Sequence, residues 1–374
     1  MLNRRLLRIK AMQSIYAFKQ NEVSDFNITL EKIKEDFRFE LNMIGKEEAP
    51  RMKIEEDIAT QIFRNAIFPS ETKEVDVEKL SEKGKELANN AIHFYKTKRN
   101  KDYLNHKSKM VIEAEKIYDR YILLLHLFNE MVQLDKAEGI FSGNKAIQCL
   151  LSSTNLQNLI KTKEVRWDTA TVKSWYKIFY KETEIIASLN QEKEGFEGDR
   201  MKFRIIIRDF IFKHDIVISH FEEIDINWAE NKSILRSMLI NTVKAIDEGS
   251  CEESGLFLLS KNWADDRTFF KELFELYIDQ ENYYDELITE KTRTWAADRI
   301  AVVDKILMKM AICEMLNYPN IPVKVSINEY IDISKNYSTP KSGQYINGML
   351  DEISKKLSNE GKIKKSGRGL IDNK

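Results

Sequence analysis

Two clusters of basic and aromatic residues have the types and spacing to act on a phosphate-bearing ligand. Near the start, Arg4, Arg8, Lys19 and Arg5 fall within one arc of about 100° if the segment is helical, and Tyr16 lies about 20° beyond it. Leu7, Phe18, Ala11 and Ile15 occupy an adjoining arc that could face a core, while Met12 interrupts the basic stripe. Guanidinium groups grip phosphate bidentately, and an aromatic beside them can stack an unpaired base. A solvated basic helix face has the same residues. Near the end, Thr339, Lys341 and Ser342 would bring hydroxyls, a cation and free backbone N–H groups to a helix start, with Tyr337 and Tyr345 flanking them. Helix capping with packed tyrosines accounts for these residues equally well.

Catalytic constellations are missing. His93, His106, His126, His214 and His220 form no HExxH or other ligand spacing, and there is no P-loop, GxGxxG or GxSxG. His214-Asp215 and His220 read as a helix surface. The expectation is therefore a protein without catalysis, metal or cofactor. Cys149, Cys251 and Cys313 lie about sixty or more residues apart, with no CxxC pair. Neither a disulfide nor a zinc site is expected, only small buried thiols of a reducing cytoplasm.

These residues must be held by helices. The chain has 374 residues, 43% hydrophobic and 32% charged, with only 13 Gly and 5 Pro, which excludes disordered and turn-rich all-β chains. Apolar residues at 110, 114, 117, 121, 124, 128 and 131 follow the spacing of a buried helix stripe. Similar helical stripes run over Phe203–Phe221, Trp228–Ile246, Phe269–Leu287 and Ile300–Leu316. Loops are expected at Gly45–Pro50, Pro69–Lys73, Gly139–Gly143, Gln191–Gly198 and Gly249–Gly255. Alternating strand patterns are scarce, so the fold class is all-α. Lys10 interrupts any signal-peptide core, and the most apolar run, Tyr121 to Phe128, is far too short to span a bilayer.

Trp228-Ala229-Glu230-Asn231-Lys232 is similar to Trp295-Ala296-Ala297-Asp298-Arg299, either by coincidence or as part of a duplicated helical unit with Asn231 or Asp298 as N-cap. Asn317-Tyr318-Pro319 ends the apolar helix before it. Ser326 and Glu329 have capping-box spacing and predict a helix from there to about Tyr337. Thr339-Pro340 predicts an N-cap and first helical position for a last helix, Lys341 to about Leu357. Gly348 sits inside that helix, where a close helix–helix contact would explain it.

Ile321-Pro-Val-Lys-Val-Ser-Ile-Asn-Glu329, Tyr337-Ser-Thr-Pro-Lys-Ser342 and Tyr345-Ile-Asn-Gly-Met-Leu-Asp351 resemble the signature end of the NusB family of transcription antitermination factors. Asp304-Lys-Ile-Leu-Met-Lys-Met-Ala-Ile-Cys-Glu-Met315 resembles the family's central helix, and Arg4-Arg5-Leu-Leu-Arg8 to Tyr16 its first helix. The resemblance covers about residues 1–23 and 263–357. It implies NusB-like helical bundles, with 24–262 a helical insertion that holds any duplicated unit, and 358–374 a basic flexible tail. It implies binding of boxA-type RNA of nascent ribosomal transcripts with the ribosomal protein NusE, inside an antitermination complex on RNA polymerase. The RNA-contacting residues it implies are Arg4, Arg5, Arg8, Tyr16, Tyr337, Lys341, Ser342 and Tyr345, and Asp304 is the acidic position matching the NusE-binding surface. Lys341 stands where many members carry an acid, and Gly343-Gln344 replace a bulkier pair. A homodimer is left open, and a cytoplasmic, membrane-free protein is implied. The other class of reading is a helical interaction scaffold without RNA recognition. The basic stretch His93 to Lys101 reads as an exposed helix edge or a linker, with nucleic-acid contact as the other reading.

The formal net charge of −1 hides an uneven distribution. Residues 1–20 carry five basic groups and no acid, and residues 355–374 carry seven basic and two acidic. The acidic excess therefore lies between the two ends that resemble the RNA-binding family, which favours contact through one face.

Overall fold

The computed structural model describes residues 4–135, 139–253, 255–292 and 300–373. Among them are fifteen α-helices and no strand, an all-α fold as expected. In chain order these are α1 (Arg4–Ile44), α2 (Ala49–Ile67), α3 (Glu82–Leu134), α4 (Lys145–Leu151), α5 (Thr154–Thr162), α6 (Thr169–Phe179), α7 (Thr183–Asn190) and α8 (Phe196–Ile205). Then come α9 (Asp215–Ile224), α10 (Trp228–Ala245), α11 (Trp263–Asp279), α12 (Glu281–Thr292), α13 (Val302–Asn317), α14 (Val323–Tyr337) and α15 (Ser342–Asn359). Among the described residues no helix is long and apolar enough to cross a membrane.

The chain divides into two compact units. Unit 1 is Met1–Leu7 with Ile112–Thr268, and unit 2 is Arg8–Val111 with Phe269–Lys374. The segment 24–262, expected as one insertion, thus contributes to both.

Unit 2 is organised on α13, where every residue from Ile306 to Met315 is buried, including Lys309 and Glu314. A helix apolar on all faces must be surrounded, and α12, α14 and α15 pack on it. A second cluster joins Ile33 and Phe37 of α1, Ala59 and Phe63 of α2, and Leu87, Ala91 and Tyr95 of α3. The basic stretch 93–101 is an α3 segment in which Lys98 pairs with Asp25 and Arg99 with Glu22, both at 2.5 Å, while Lys96 and Lys101 are exposed.

Unit 1 has an aromatic core. Trp228, fully buried, stacks on Phe221 at 4.3 Å between centroids and on Phe212 at 5.8 Å. Trp167 and Trp175 meet edge to face at 5.3 Å, and the Trp167 indole N–H donates to the Leu123 carbonyl at 2.9 Å. The expected stripe from Met110 to Met131 is buried at all seven positions. Cys149 and Cys251 form a disulfide, against the expectation of free thiols. Their Cα atoms lie 4.7 Å apart because the turn at 248–253 packs on α4, a juxtaposition that a separation of 102 residues conceals. Cys313 alone is a buried thiol, and burial pushes its pKa up to about 12.

Several expected element boundaries move. The Phe203–Phe221 stripe is not one helix: a π-helical turn covers Ile206–Ile211, with the Phe212 N–H donating to the Ile207 carbonyl, and α9 starts afresh behind His214. Ile205, Ile206 and Ile207 are all buried, so the side chains no longer mark one face. Phe269–Leu287 divides at Gln280 into α11 and α12. Asn231 is not an N-cap but lies buried inside α10, whose N-cap position is Asn227; its proposed repeat partner, 295–299, lies outside the described residues.

Ser326 and Glu329 form no capping box. The helix begins one turn earlier, at Val323 after Pro322, and both side chains point to buried charges instead. Regular helix in α15 begins at Ser342 rather than Lys341, with Thr339 and Ser342 hydrogen-bonded across the turn at 2.8 Å. The close approach of α15 is at Gly343, where an added Cβ would sit 3.5 Å from Ile331, whereas at Gly348 it would meet open space. The end of the chain is not a free tail. The Ser366 N–H donates to the Pro319 carbonyl at 3.0 Å, Lys365 Nζ donates to the Tyr318 carbonyl at 2.9 Å, and a short 3-10 segment covers Gly367–Asn373.

Candidate nucleic-acid interface

The start of α15 brings part of the expected phosphate site to a surface of unit 2. Pro340 and the Thr339–Ser342 hydrogen bond turn the chain there, and Lys341 projects into solvent. One face of α15 then supplies residues at 341, 344, 345, 348, 349 and 352, the 3–4 spacing of a helix stripe. Lys341, Gln344, Tyr345 and Met349 line a groove of about 520 Å³, closed on its other side by Lys291 of α12. Gly348 contributes no side chain to it, which keeps its floor open. Lys291 pairs with Glu352 at 3.7 Å, so Lys341 is the cation of this groove not held by a carboxylate. An ammonium, a carboxamide, a phenol ring and a thioether together can hold a phosphate and cover the face of a base.

Burial raises the Tyr345 pKa, and the Asp304 carboxylate adds to the effect, so the phenol stays protonated and remains a hydrogen-bond donor. Tyr337, half-buried at the end of α14, and Tyr16, exposed on α1, do not line the groove.

Ser342 and Asp304 have turned inward. The Ser342 hydroxyl is buried and donates to Asp304 Oδ2 at 2.6 Å, while it accepts from the Thr339 N–H at 3.2 Å. Asp304 is 5% exposed in the first turn of α13, so its carboxylate holds the α15 turn in place and presents no surface to a protein partner. Among the described residues Asp304 Oδ1 has no hydrogen-bond partner, a cost that the Oδ2 bond must offset.

Arg8 is the largest departure from the expected basic stripe. It is 3% exposed, and its Nε and Nη2 donate to the two Glu314 carboxylate oxygens, each at 2.7 Å. Glu329 lies 3.5 Å from Nη1, and the Phe269 and Tyr330 rings lie 5.5 and 5.8 Å from the guanidinium carbon. Glu314 also accepts from Ser326 at 2.7 Å and Tyr330 at 3.1 Å, so both oxygens are satisfied. Burial opposes the Arg8 charge, but Glu314, with Tyr330 and Glu329 adding to it, holds the guanidinium pKa above its ordinary value. The bidentate geometry expected for a phosphate is thus taken by a carboxylate of the chain itself. Met12 beside it is buried too, so the core face of α1 is wider than Leu7, Ala11, Ile15 and Phe18 alone.

Lys19 is likewise engaged, pairing with Glu22 and, at 2.8 Å, with Glu281. Glu281 also accepts from buried Lys309 at 2.8 Å, and Lys309 reaches Asp285 at 2.6 Å. Burial raises the Glu281 pKa, but Lys19 and Lys309 together bring it below the ordinary value. Arg4 and Arg5, both exposed, belong to unit 1, where Arg4 Nε lies 3.4 Å from Asp266. Of the eight expected contact residues, the structure brings only Lys341 and Tyr345 into one groove. Gln344, Gly348, Met349 and Lys291 complete it; the first three could have been found by extending a helical wheel from Lys341.

Among the described residues no cluster of His, Cys, Asp and Glu could hold a metal ion. His214 serves as the N-cap of α9, its Nδ1 accepting from the Ile216 N–H, and His220 packs against Trp175 at 5.1 Å.

The sequence profile of the NusB family matches residues 234–355. The chain is 41% identical over 105 residues to the transcription antitermination protein NusB of Salinibacter ruber, an alignment covering 28% of this chain and 66% of that protein. It is 47% identical over 88 residues to the NusB of Chloroherpeton thalassium, covering 24% of this chain and 42% of the relative. For the NusB of Desulforapulum autotrophicum the identity is 39% over 113 residues, covering 29% of this chain and 78% of the relative. The chain thus spans just under two thirds of the first relative and less than half of the second. No solved structure matches the chain.

Proposed function

The chain belongs to the NusB family, and from that premise we propose that it is a transcription antitermination factor that binds boxA-type single-stranded RNA jointly with the ribosomal protein NusE. The observation that carries this reading is the groove along α15, where Lys341 supplies the charge and Tyr345 the aromatic face. On unit 2, exposed Tyr16 and half-buried Tyr337 are further contacts in this proposal, and Arg4 and Arg5, exposed on unit 1, are carried as contacts of that unit. Arg8, Ser342 and Asp304 are excluded from it as direct contacts, because each is buried and bonded within unit 2. They position the elements that carry the surface. The relatives are titled transcription antitermination proteins, which supports assembly into a complex on RNA polymerase as the biological setting.

The test is a gel-shift titration of the full chain with boxA RNA, with and without NusE. Tighter binding with NusE is expected. Lys341→Gln should lower the slope of log affinity against log salt by about 0.7, the value of one single-strand phosphate contact. Tyr345→Ala should cost about 1–3 kcal/mol of binding, the worth of one stacked base. Absence of RNA binding with and without NusE overturns the proposal. Capture of NusE independent of RNA, in that case, identifies a protein-interaction scaffold.

A further inference from the structure

Unit 1 carries a second concentration of cations, on elements that the α15 groove does not involve. Arg204 lies at the end of α8, Arg208 in the π-helical turn that follows, and Arg236 on α10. The three line a groove of about 320 Å³, into which α10 also directs Ser233 and Ser237. Ser233, Arg236, Ser237 and Ile240 follow i, i+3, i+4, i+7 spacing, one face of one helix. The apolar surface of the groove comes from Met201, Ile205 and Ile240.

The arginines are not equivalent. Arg208 is engaged by its neighbour Asp209, with Nε 2.9 Å from Oδ1 and Nη2 2.5 Å from Oδ2. Arg204 Nε is buried with no hydrogen-bond partner, and its Nη1 meets only the Met201 thioether, a poor acceptor, at 3.3 Å. Arg236 is exposed on the opposite wall; among the described residues neither it nor Arg204 forms an ion pair, although the Asp209 carboxylate held by Arg208 also feels the Arg236 charge. A desolvated cationic donor without an acceptor is costly, and it is relieved by an anionic oxygen from outside. The π-helical turn widens the wall at this point, a deviation from regular helix that recurs at functional sites.

We propose that this groove binds the phosphodiester backbone of single-stranded RNA. Guanidinium groups on two facing walls match successive phosphates, and the serine hydroxyls can donate to the same oxygens. The apolar surface between them suits the faces of bases, which a small inorganic anion would leave uncovered. The presence of the cation groove does not depend on the function proposed above; the choice of RNA over DNA rests on that reading.

The experiment is fluorescence anisotropy of a labelled short oligouridylate with the full chain, comparing wild type, R204Q/R236Q and K341Q across a salt series. The double variant is expected to weaken binding about tenfold and to lower the salt slope by about 1.4, two single-strand phosphate contacts. If R204Q/R236Q unfolds by circular dichroism, the exposed R236Q alone is used, with an expected slope decrease of about 0.7. Binding unchanged in these variants overturns the proposal, whatever K341Q does, and a loss confined to K341Q leaves the α15 reading standing by itself. Equal sensitivity of a DNA oligonucleotide to R204Q/R236Q overturns the assignment to RNA. Competition by inorganic phosphate as effective as by oligouridylate overturns the backbone assignment in favour of a small-anion site.

Discussion

Unit 1 and unit 2 are both helical, yet they specify their interiors by different means. Unit 2 buries charge: Arg8 against Glu314, and Lys309 against Glu281 and Asp285. Both units bury rings, but among the described residues unit 1 buries no Asp, Glu, Lys or Arg; it stacks Trp228, Phe221 and Phe212 and adds a covalent tie between Cys149 and Cys251. A buried charge left without a partner is strongly penalised, so ion pairs inside a protein can fix which helices meet. Aromatic packing is more permissive in partner, so the disulfide supplies a constraint that the rings do not. Some of the residues that make the chain resemble its family, Arg8, Glu314, Ser326 and Ser342 among them, are buried and bond one helix to another, whereas Lys341 and Tyr345 line the α15 groove.

The largest effect expected from this contrast comes from Glu314→Ala. It strands a buried guanidinium and removes the acceptor of Ser326 and Tyr330, for a loss of about 3–5 kcal/mol from unit 2 in urea unfolding. The paired change Arg8→Met with Glu314→Leu should cost much less, since no charge is left alone. Equal losses for the single and paired variants would refute a specifying role for the pair. Next in size, Cys251→Ser should cost unit 1 about 2–4 kcal/mol, because the bridge closes a long loop. Hydrogen exchange should then rise across 112–268 and stay unchanged across 302–357; a uniform rise would break the distinction between units.

A smaller effect is expected with pH. Glu281 has a folded pKa below its ordinary value of 4.5, so its contribution is complete above that value and is lost as pH falls through the folded pKa. Lys19 is raised above its ordinary 10.5, so its share is present below that value and disappears as pH rises through its folded pKa. Glu281→Gln should flatten the acid side of the unit 2 stability profile; an unaltered acid slope would show that other carboxylates govern it. The smallest effect is Gly348→Ala. It should stabilise α15 by about 0.5–1 kcal/mol, read as a higher melting temperature, since the added methyl meets open space. A loss of stability there would mean that the groove does not have the described shape.

The helix class and the central helix were legible because burial on one face, or on all faces, leaves a period in the sequence. The 110–131 stripe and the all-round apolar run of α13 are direct cases. Where three isoleucines stand together at 205–207, the period disappears, and with it the sign of the π-helical turn. The candidate site was half legible. Lys341 and Tyr345 were reached from turn chemistry, but Arg8 and Ser342 looked like surface groups because their partners lie 306 and 38 residues away. Nothing local distinguishes an arginine that will meet a phosphate from one that will meet a distant carboxylate. The Cys149–Cys251 bridge was hidden for the same reason.

The pairing of Arg8 with Glu314 also sets a clock on synthesis. With 306 residues between them, and elongation at about 5–20 residues per second, the cation emerges roughly 15–60 s before its carboxylate exists. Through that interval Arg8 lacks the carboxylate that will bury it, although α1 carries acids of its own such as Glu22, and most of unit 1 is translated in between. Unit 2 therefore closes last on the ribosome, and in a chain released before α13 the Arg8 end of the N-terminal helix has no interior to enter, while Ile33 and Phe37 can already meet α2 and α3.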